Sequence, residues 1–427
     1  MTADASPAEP AAAAETTPPL PVVIGVSIVL GAVIGLMFLG FEWLVNHGDT
    51  WIWDDVFNTG EERWVVVPLA IGLSIIYSFI VHLLGQRRII PIQLSIVEDL
   101  GKPLERAPLS GVAVILVVGA ASLLAGASLG PEAALAAGSI ALGTWCAFRF
   151  NFGSAGELLV LTALTALLVA FFGSLVPLLI PPLILFQRTR KIPIPALVPP
   201  TLAGLAAYGT VYLIRGAVSG YGSIPSGTSA NAEDYLIALA LGVCGVGVGY
   251  GMRTAIKLFT GPAKQIGERV HWAWAAAIFG LVLGILYLIG GPTIEFSGSE
   301  GSKMLVSDTA YGTAALAGIV VMKLLATGWS LSTGYRGGLV FPSVFAGVAL
   351  SMFVASLFGD TAGPGLMIGS IAGVLVEMTS PALGVIMLLS LVPSELLPLA
   401  LAGAAGAILP HAIKSRLHPK PPAPASA

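Results

Sequence analysis

The sequence predicts an all-α polytopic membrane protein in which two inverted repeats of helices, several of them broken, tilted or re-entrant, share one membrane domain. Three observations lead there. Of the 427 residues, 56% are hydrophobic and only 10% charged, with a mean hydropathy of +0.90. A soluble domain carries roughly 25% charged residues, so a soluble globular chain is excluded. Long apolar runs also alternate with runs too short, or too rich in Gly and Pro, to span a bilayer. Finally, "GPEAALAAGSIALG" from Gly130 and "GLVFPSVFAGVALS" from Gly338 share one form: a Gly-rich break, an early Pro, then a small-residue helix. They lie roughly 208 residues apart, nearly half the chain; paired breaks of this kind are what inverted-repeat transporters show, and a chain with 52 glycines also yields such pairs by chance.

In chain order, residues 1–20 are rich in Pro, Ala, Thr and acids without Lys or Arg, so they read as a disordered tail rather than a signal peptide. A membrane helix needs about 20 apolar residues. Spans are expected at 21–45, 64–85, 107–126, 234–259, 272–291, 313–333 and 339–358. Shorter or interrupted pieces fall at 88–97, 131–150, 155–172, 175–186, 197–215, 364–378, 382–393 and 395–410. Broken backbone at membrane depth survives only inside protein or beside a wet cavity, which points to a transporter or channel. Residues 417–427 form a second tail. The membrane domain is then 21–416, with repeats at roughly 21–216 and 234–416 and no regulatory domain expected at either end.

Charge sets the expected topology. The 46–63 loop holds Asp49, Asp54, Asp55, Glu61 and Glu62 against Arg63. Basic residues cluster at 87–106, 188–191, 253–269 and 414–420, which places those loops and the C-terminus in the cytoplasm of a cell-membrane protein. A net charge of -3 gives a nucleic-acid partner no support. Cys146 and Cys244, each in an apolar run, read as buried spectator thiols, and no metal-ligand spacing or cofactor motif is present.

The two breaks carry the chemistry. A helix that starts at the membrane midplane aims unsatisfied N–H groups and a positive dipole end into the protein, which is an anion site without any basic side chain. "GASLGP" (Gly126 to Pro131) and "STGYRGGLVFP" (Ser332 to Pro342) can each supply one. The alternative is close helix packing by small residues. Glu132, the only acid between Arg106 and Glu157, follows the first break directly. A carboxylate at a helix start occupies the place of an anion, so it can plug the path when charged and swing aside when protonated. Its plainer reading is a capping acid.

"GASLGPEAALAAGS" resembles the gating segment of the chloride channel (CLC) family, in which a Gly-x-Glu sequence opens a helix facing the anion. "STGYRGGLVFPSVFAGVALS" is similar to that family's second signature, preceded by "KLLATGWSLSTG" from Lys323 as in many bacterial members. The resemblance covers about residues 21–415 and implies the CLC inverted-repeat fold, a homodimer with one ion path per subunit, and a bacterial branch without cytoplasmic CBS domains. It makes Glu132 the gating glutamate and places Gly130, Ala133, Gly338, Leu339 and Val340 along the anion path, binding through backbone N–H groups. Pro131 can donate no hydrogen bond there.

Other positions depart from the family. Its Gly-Ser-Gly-x-Pro stretch falls on "RRIIP" (Arg87 to Pro91) and puts Arg88 near the serine position, as an anion contact, an attractor at the cytoplasmic entrance or a positive-inside marker. Gln187 aligns with the inner glutamate of proton-coupled members, with no acid beside it in sequence, and glutamine cannot relay a proton as a carboxylate does. His411 is the residue nearest the family's last aromatic hydroxyl and reads as solvated.

"GASLG" also fits the Gly-x-Ser-x-Gly pattern of serine hydrolases, which would make Ser128 a nucleophile in need of a histidine base. Of the histidines only His82 sits well inside an expected helix, and 52 glycines make the pattern easy to meet by chance. Lys323 must reach water, a partner or the interface. Glu377 reads as interfacial, and 290–305 as a loop exposing Glu295 and Glu300. The expected function is chloride or other small-anion transport, not enzymatic: passive and gated by Glu132, with chloride/proton exchange as the alternative and an intramembrane hydrolase as a distant one.

Overall fold

A computed structural model describes residues 18–84, 108–153, 156–216, 230–307, 311–359 and 362–417. Apolar stretches bounded by Gly and Pro become helices throughout the described residues. The first half contains α1 (Leu20–Asp49), α2 (Val66–Leu84), α3 (Leu109–Leu124), α4 (Glu132–Arg149), α5 (Gly156–Phe172), α6 (Ile180–Thr189) and α7 (Ile194–Arg215). The second contains α8 (Ala232–Arg269), α9 (Trp272–Gly290), α10 (Ser299–Ser307), α11 (Thr313–Ser332), α12 (Val340–Leu357), α13 (Pro364–Met378), α14 (Pro381–Leu391) and α15 (Leu397–Leu417). Among the described residues, eight helical segments are long and apolar enough to cross a membrane.

The two halves repeat one packing scheme. α1 lies on α5 and α7 as α8 lies on α13 and α15, and the series α3–α4–α5 is matched by α11–α12–α13. α4 and α12 begin 208 residues apart, at Glu132 and Val340, and the same offset separates the starts of α5 and α13. Close approach holds each half together. A Cβ on Gly31 would strike the Ala203 backbone, and one on Gly242 would strike the backbone of Gly403. Small residues are what let membrane helices approach so closely. α4 and α12 are buried nearly throughout, so the two halves share one core around them.

Several expectations are corrected. α8 reaches Arg269, ten residues past the expected end. Gly261-Pro262 does not stop it, because the missing N–H frees only the carbonyl of Leu258, on an exposed turn. The expected 290–305 loop contains α10, and Glu295 is buried because Arg63 pairs with it at 2.6 Å, while Glu300 is exposed. Neither Glu377 nor His411 stands alone: Glu377 bridges Arg253 and His411 at 3.1 Å each, and His411 is half-buried. Cys146 is buried as expected, whereas Cys244 lies on an exposed face of α8. His82 falls in the last turn of α2 and stacks on Trp272.

Lys323 finds its partners in backbone. The fully buried Nζ donates to the carbonyls of Ile294 at 3.0 Å and Phe296 at 2.7 Å and lies 5.1 Å from the Phe345 ring centroid. It therefore ties the turn before α10 to α11. Lys323→Met should lower stability by about 2 kcal/mol, because two buried carbonyls lose their donor while the cost of burying a charge is relieved. Thermal unfolding of the detergent-solubilised variant checks this; a midpoint equal to wild type would contradict it.

Candidate functional site

Two helix breaks meet at the centre of the fold. α3 ends before Gly126 (φ +87), and α11 ends before Gly334 (φ +89), left-handed positions where glycine escapes the Cβ penalty. Beyond these turns the chains pair briefly: the Gly130 N–H donates to Gly338 O at 2.9 Å, and the Gly338 N–H donates to Gly130 O at 2.7 Å.

Each break is also tied down by the opposite repeat. The Tyr77 hydroxyl of α2 donates to Gly334 O at 2.8 Å, and the Tyr287 hydroxyl of α9 donates to Gly126 O at 2.7 Å. Ser122 Oγ accepts from the Arg336 N–H at 2.7 Å, and Ser330 Oγ accepts from the Ser128 N–H at 3.0 Å. Gly126 and Gly334, Ser122 and Ser330, and Ser128 and Arg336 all keep the 208-residue offset. These cross-ties satisfy backbone groups that the breaks would leave orphaned in a low-dielectric interior. Sequence reasoning missed them; the signal was an aromatic in the second helix of each repeat.

Glu132 joins the two breaks. It opens α4, is buried, and reaches across to the start of α12, where Oε1 accepts from the Val340 N–H at 2.6 Å. The backbone amides of Glu132 itself and of Phe341 also face the carboxyl. Oε2 is buried and has no hydrogen-bond partner among the described residues. The carboxyl thus sits on the positive end of the α12 dipole, as an anion would. Leu339 is buried and Ala133 half-buried at the same junction. Of the expected backbone donors, the Gly130 and Gly338 amides are spent on each other, and Val340 at the start of α12 donates to Glu132. On the α1 side, a cavity of about 30 Å³ lined by Glu42, Asn46, Asp49, Leu129 and Ser297 reaches Pro131.

The family description "Voltage gated chloride channel" matches residues 89–410. This chain belongs to that family. Among its CLC relatives, YfeO of Escherichia coli O1:K1 / APEC, which by name belongs to ion transport, is 28% identical over 260 residues, 60% of each chain. YfeO of Shigella boydii serotype 18 is 27% identical over the same shares. The CLC chain therefore matches about 60% of the length of these relatives. Among solved structures, a CLC-type fluoride/proton antiporter has a TM-score of 0.73 at 17% identity, covering 91% of this chain and 95% of that one. A cyanobacterial chloride/proton antiporter has 0.71 at 18% identity, covering 93% and 95%. These likenesses show the CLC fold.

Against that fold the remaining positions of the CLC chain can be placed. Arg88 lies outside the described residues. Gln187 is exposed in the last turn of α6. The site is not bare of acid, as sequence neighbours implied: Glu157 of α5 pairs with the adjoining Arg188 at 2.9 Å. Only folding brings it there, from 31 residues away. The Ser128 hydroxyl meets Thr327 Oγ1 at 3.2 Å, not a histidine, so the hydrolase pattern finds no base among the described residues.

Proposed function

We propose that this chain conducts chloride or a similar small anion passively through the junction of α4 and α12, with Glu132 as the gate. One observation carries the reading: the Glu132 carboxyl is seated on the Val340 N–H at the start of α12. A carboxylate bound where an anion would bind blocks the path. Protonation, or competition by a permeating anion, frees the helix end. Leu339 and Val340 then offer their amides to the anion, beside Gly130, Ala133 and Gly338. Gln187 in place of an inner carboxylate favours movement uncoupled from protons. The functional unit in this reading is a homodimer in the cell membrane with a cytoplasmic C-terminus, and no cofactor enters it.

Chloride/proton exchange is the second reading, favoured by two proteins of the same fold, one a fluoride/proton and the other a chloride/proton antiporter. Flux from chloride-loaded liposomes separates the two. Chloride efflux that drives no proton movement is the expected result. Uphill proton transport driven by a chloride gradient would replace conduction with exchange, and no anion flux in any condition would defeat both.

A further inference from the structure

The buried and half-buried Lys and Arg side chains among the described residues have partners, with one exception. Arg63 pairs with Glu295, and Lys323 donates to two carbonyls. Even the more exposed Arg215 and Arg253 pair with Glu42 and Glu377. Arg336 is different. Its side chain is half-buried, its Nε has no contact with solvent and no hydrogen-bond partner, and no carboxylate pairs with it among the described residues. A guanidinium stays charged at any ordinary pH and has donors only, so a buried N–H on it calls for an acceptor.

The place of Arg336 says where that acceptor would come from. It stands two residues before Gly338 and four before Val340, inside the break that delivers the α12 helix start. Its own backbone N–H is held by Ser122 Oγ. On one side, Tyr335 is buried, stacks on Tyr77 with centroids 5.2 Å apart and shares a hydrogen bond with Ser74. On the other, a Cβ on Gly337 would meet Leu129 and Gly130 O. The backbone at Arg336 is therefore held from both sides. The guanidinium lies near Tyr77, whose hydroxyl donates to Gly334 O, and no hydrogen bond joins Arg336 to that hydroxyl among the described residues. No hydrogen bond or ion pair joins it to the Glu132 carboxyl either: Oε1 takes the Val340 N–H, and Oε2 is itself without a partner among the described residues.

We propose that the Arg336 guanidinium binds a small inorganic anion as a second locus beside the α12 helix end, so that an anion is held in front of the gate while Glu132 is seated. This rests on the anion-conduction reading for its role in transport, though not for binding itself. Two adjacent sites of moderate affinity let an anion enter readily and still leave, as conduction requires. Guanidinium suits the task because it is weakly hydrated and presents its donors in a fixed plane.

The test uses the full chain, wild type, Arg336→Gln and Arg336→Lys, with chloride and nitrate as probes. In liposomes, Arg336→Gln should raise the half-saturating chloride concentration about tenfold, with a much smaller change in maximal flux, because one charge-assisted contact is lost. Chloride titration of the detergent-solubilised protein by calorimetry should show the same weakening. Arg336→Lys should keep chloride affinity nearer to wild type but alter the chloride-to-nitrate preference, since a point charge replaces a planar fork. If wild type carries no anion flux, the conduction reading fails and calorimetry alone decides the site. Unchanged half-saturation and calorimetric affinity in Arg336→Gln would overturn the proposal. Should that variant lose its monodisperse elution, an unaltered anion preference in Arg336→Lys would overturn it instead.

Discussion

Glu132→Gln should make anion flux independent of pH and hold it at or above the acidic wild-type rate. The sign follows from where the carboxyl sits. Charged, it accepts from the Val340 N–H and fills the α12 helix end. Protonated, it has lost the charge that the helix dipole favours, so in the proposed gate the site should open to a permeating anion and wild-type flux should rise as pH falls. Titration of a single gating carboxyl changes the open fraction by up to about tenfold per pH unit. Wild-type flux measured between pH 7.5 and 4.5 should therefore climb by about an order of magnitude or more. The side-chain amide introduced by Glu132→Gln cannot ionise over that range, and Glu132→Ala, lacking the group altogether, should be flat as well. A variant that keeps the wild-type pH profile would remove Glu132 from the gate.

Gly338→Ala should have a comparable effect while leaving Glu132 intact. Neither Gly130 nor Gly338 has a positive φ, so alanine fits the backbone at both. Space is what forbids it: a Cβ on either glycine would overlap the Glu132 carboxyl. That carboxyl is the far end of a flexible side chain, so the least costly response is for it to leave its seat rather than for the helices to move. Flux in Gly338→Ala should be high at neutral pH and nearly independent of pH, with thermal stability within about 1 kcal/mol of wild type, as for a change whose strain a side chain can relieve. Wild-type gating in Gly338→Ala would mean that the seat is not where the gate closes. The reciprocal amide-to-carbonyl pair between the two glycines is kept in this variant, which separates loss of the seat from loss of the junction.

Much of the architecture was legible because its causes are local. Apolar runs of spanning length, and Gly and Pro at their ends, marked nearly every helix to within a few residues, and the repeated break pointed to the inverted repeat. Glu132 stood out because a lone acid beside a helix break in an apolar chain is costly unless the break itself stabilises its charge. The missed element, α10, is short and polar, with only Gly301 and Leu305 buried. Misjudged residues share one feature: their partners are remote in sequence. Glu295 is buried by Arg63, 232 residues away, and the Arg253–Glu377 contact joins residues 124 apart. Cys244 is exposed because α8 turns that face away from α13 and α15, which composition alone cannot reveal.

By itself the sequence determined the solvent that the helices meet and the places where they break, since both follow from residue type over short spans. Only the tertiary structure decided which polar group meets which: that Gly130 and Gly338 spend their amides on each other, that tyrosines of opposite repeats brace the two breaks, and that Glu132 reaches the start of α12. The physical reason is that a hydrogen bond depends on approach within about 3 Å, and here that approach is set by the packing of segments some two hundred residues apart.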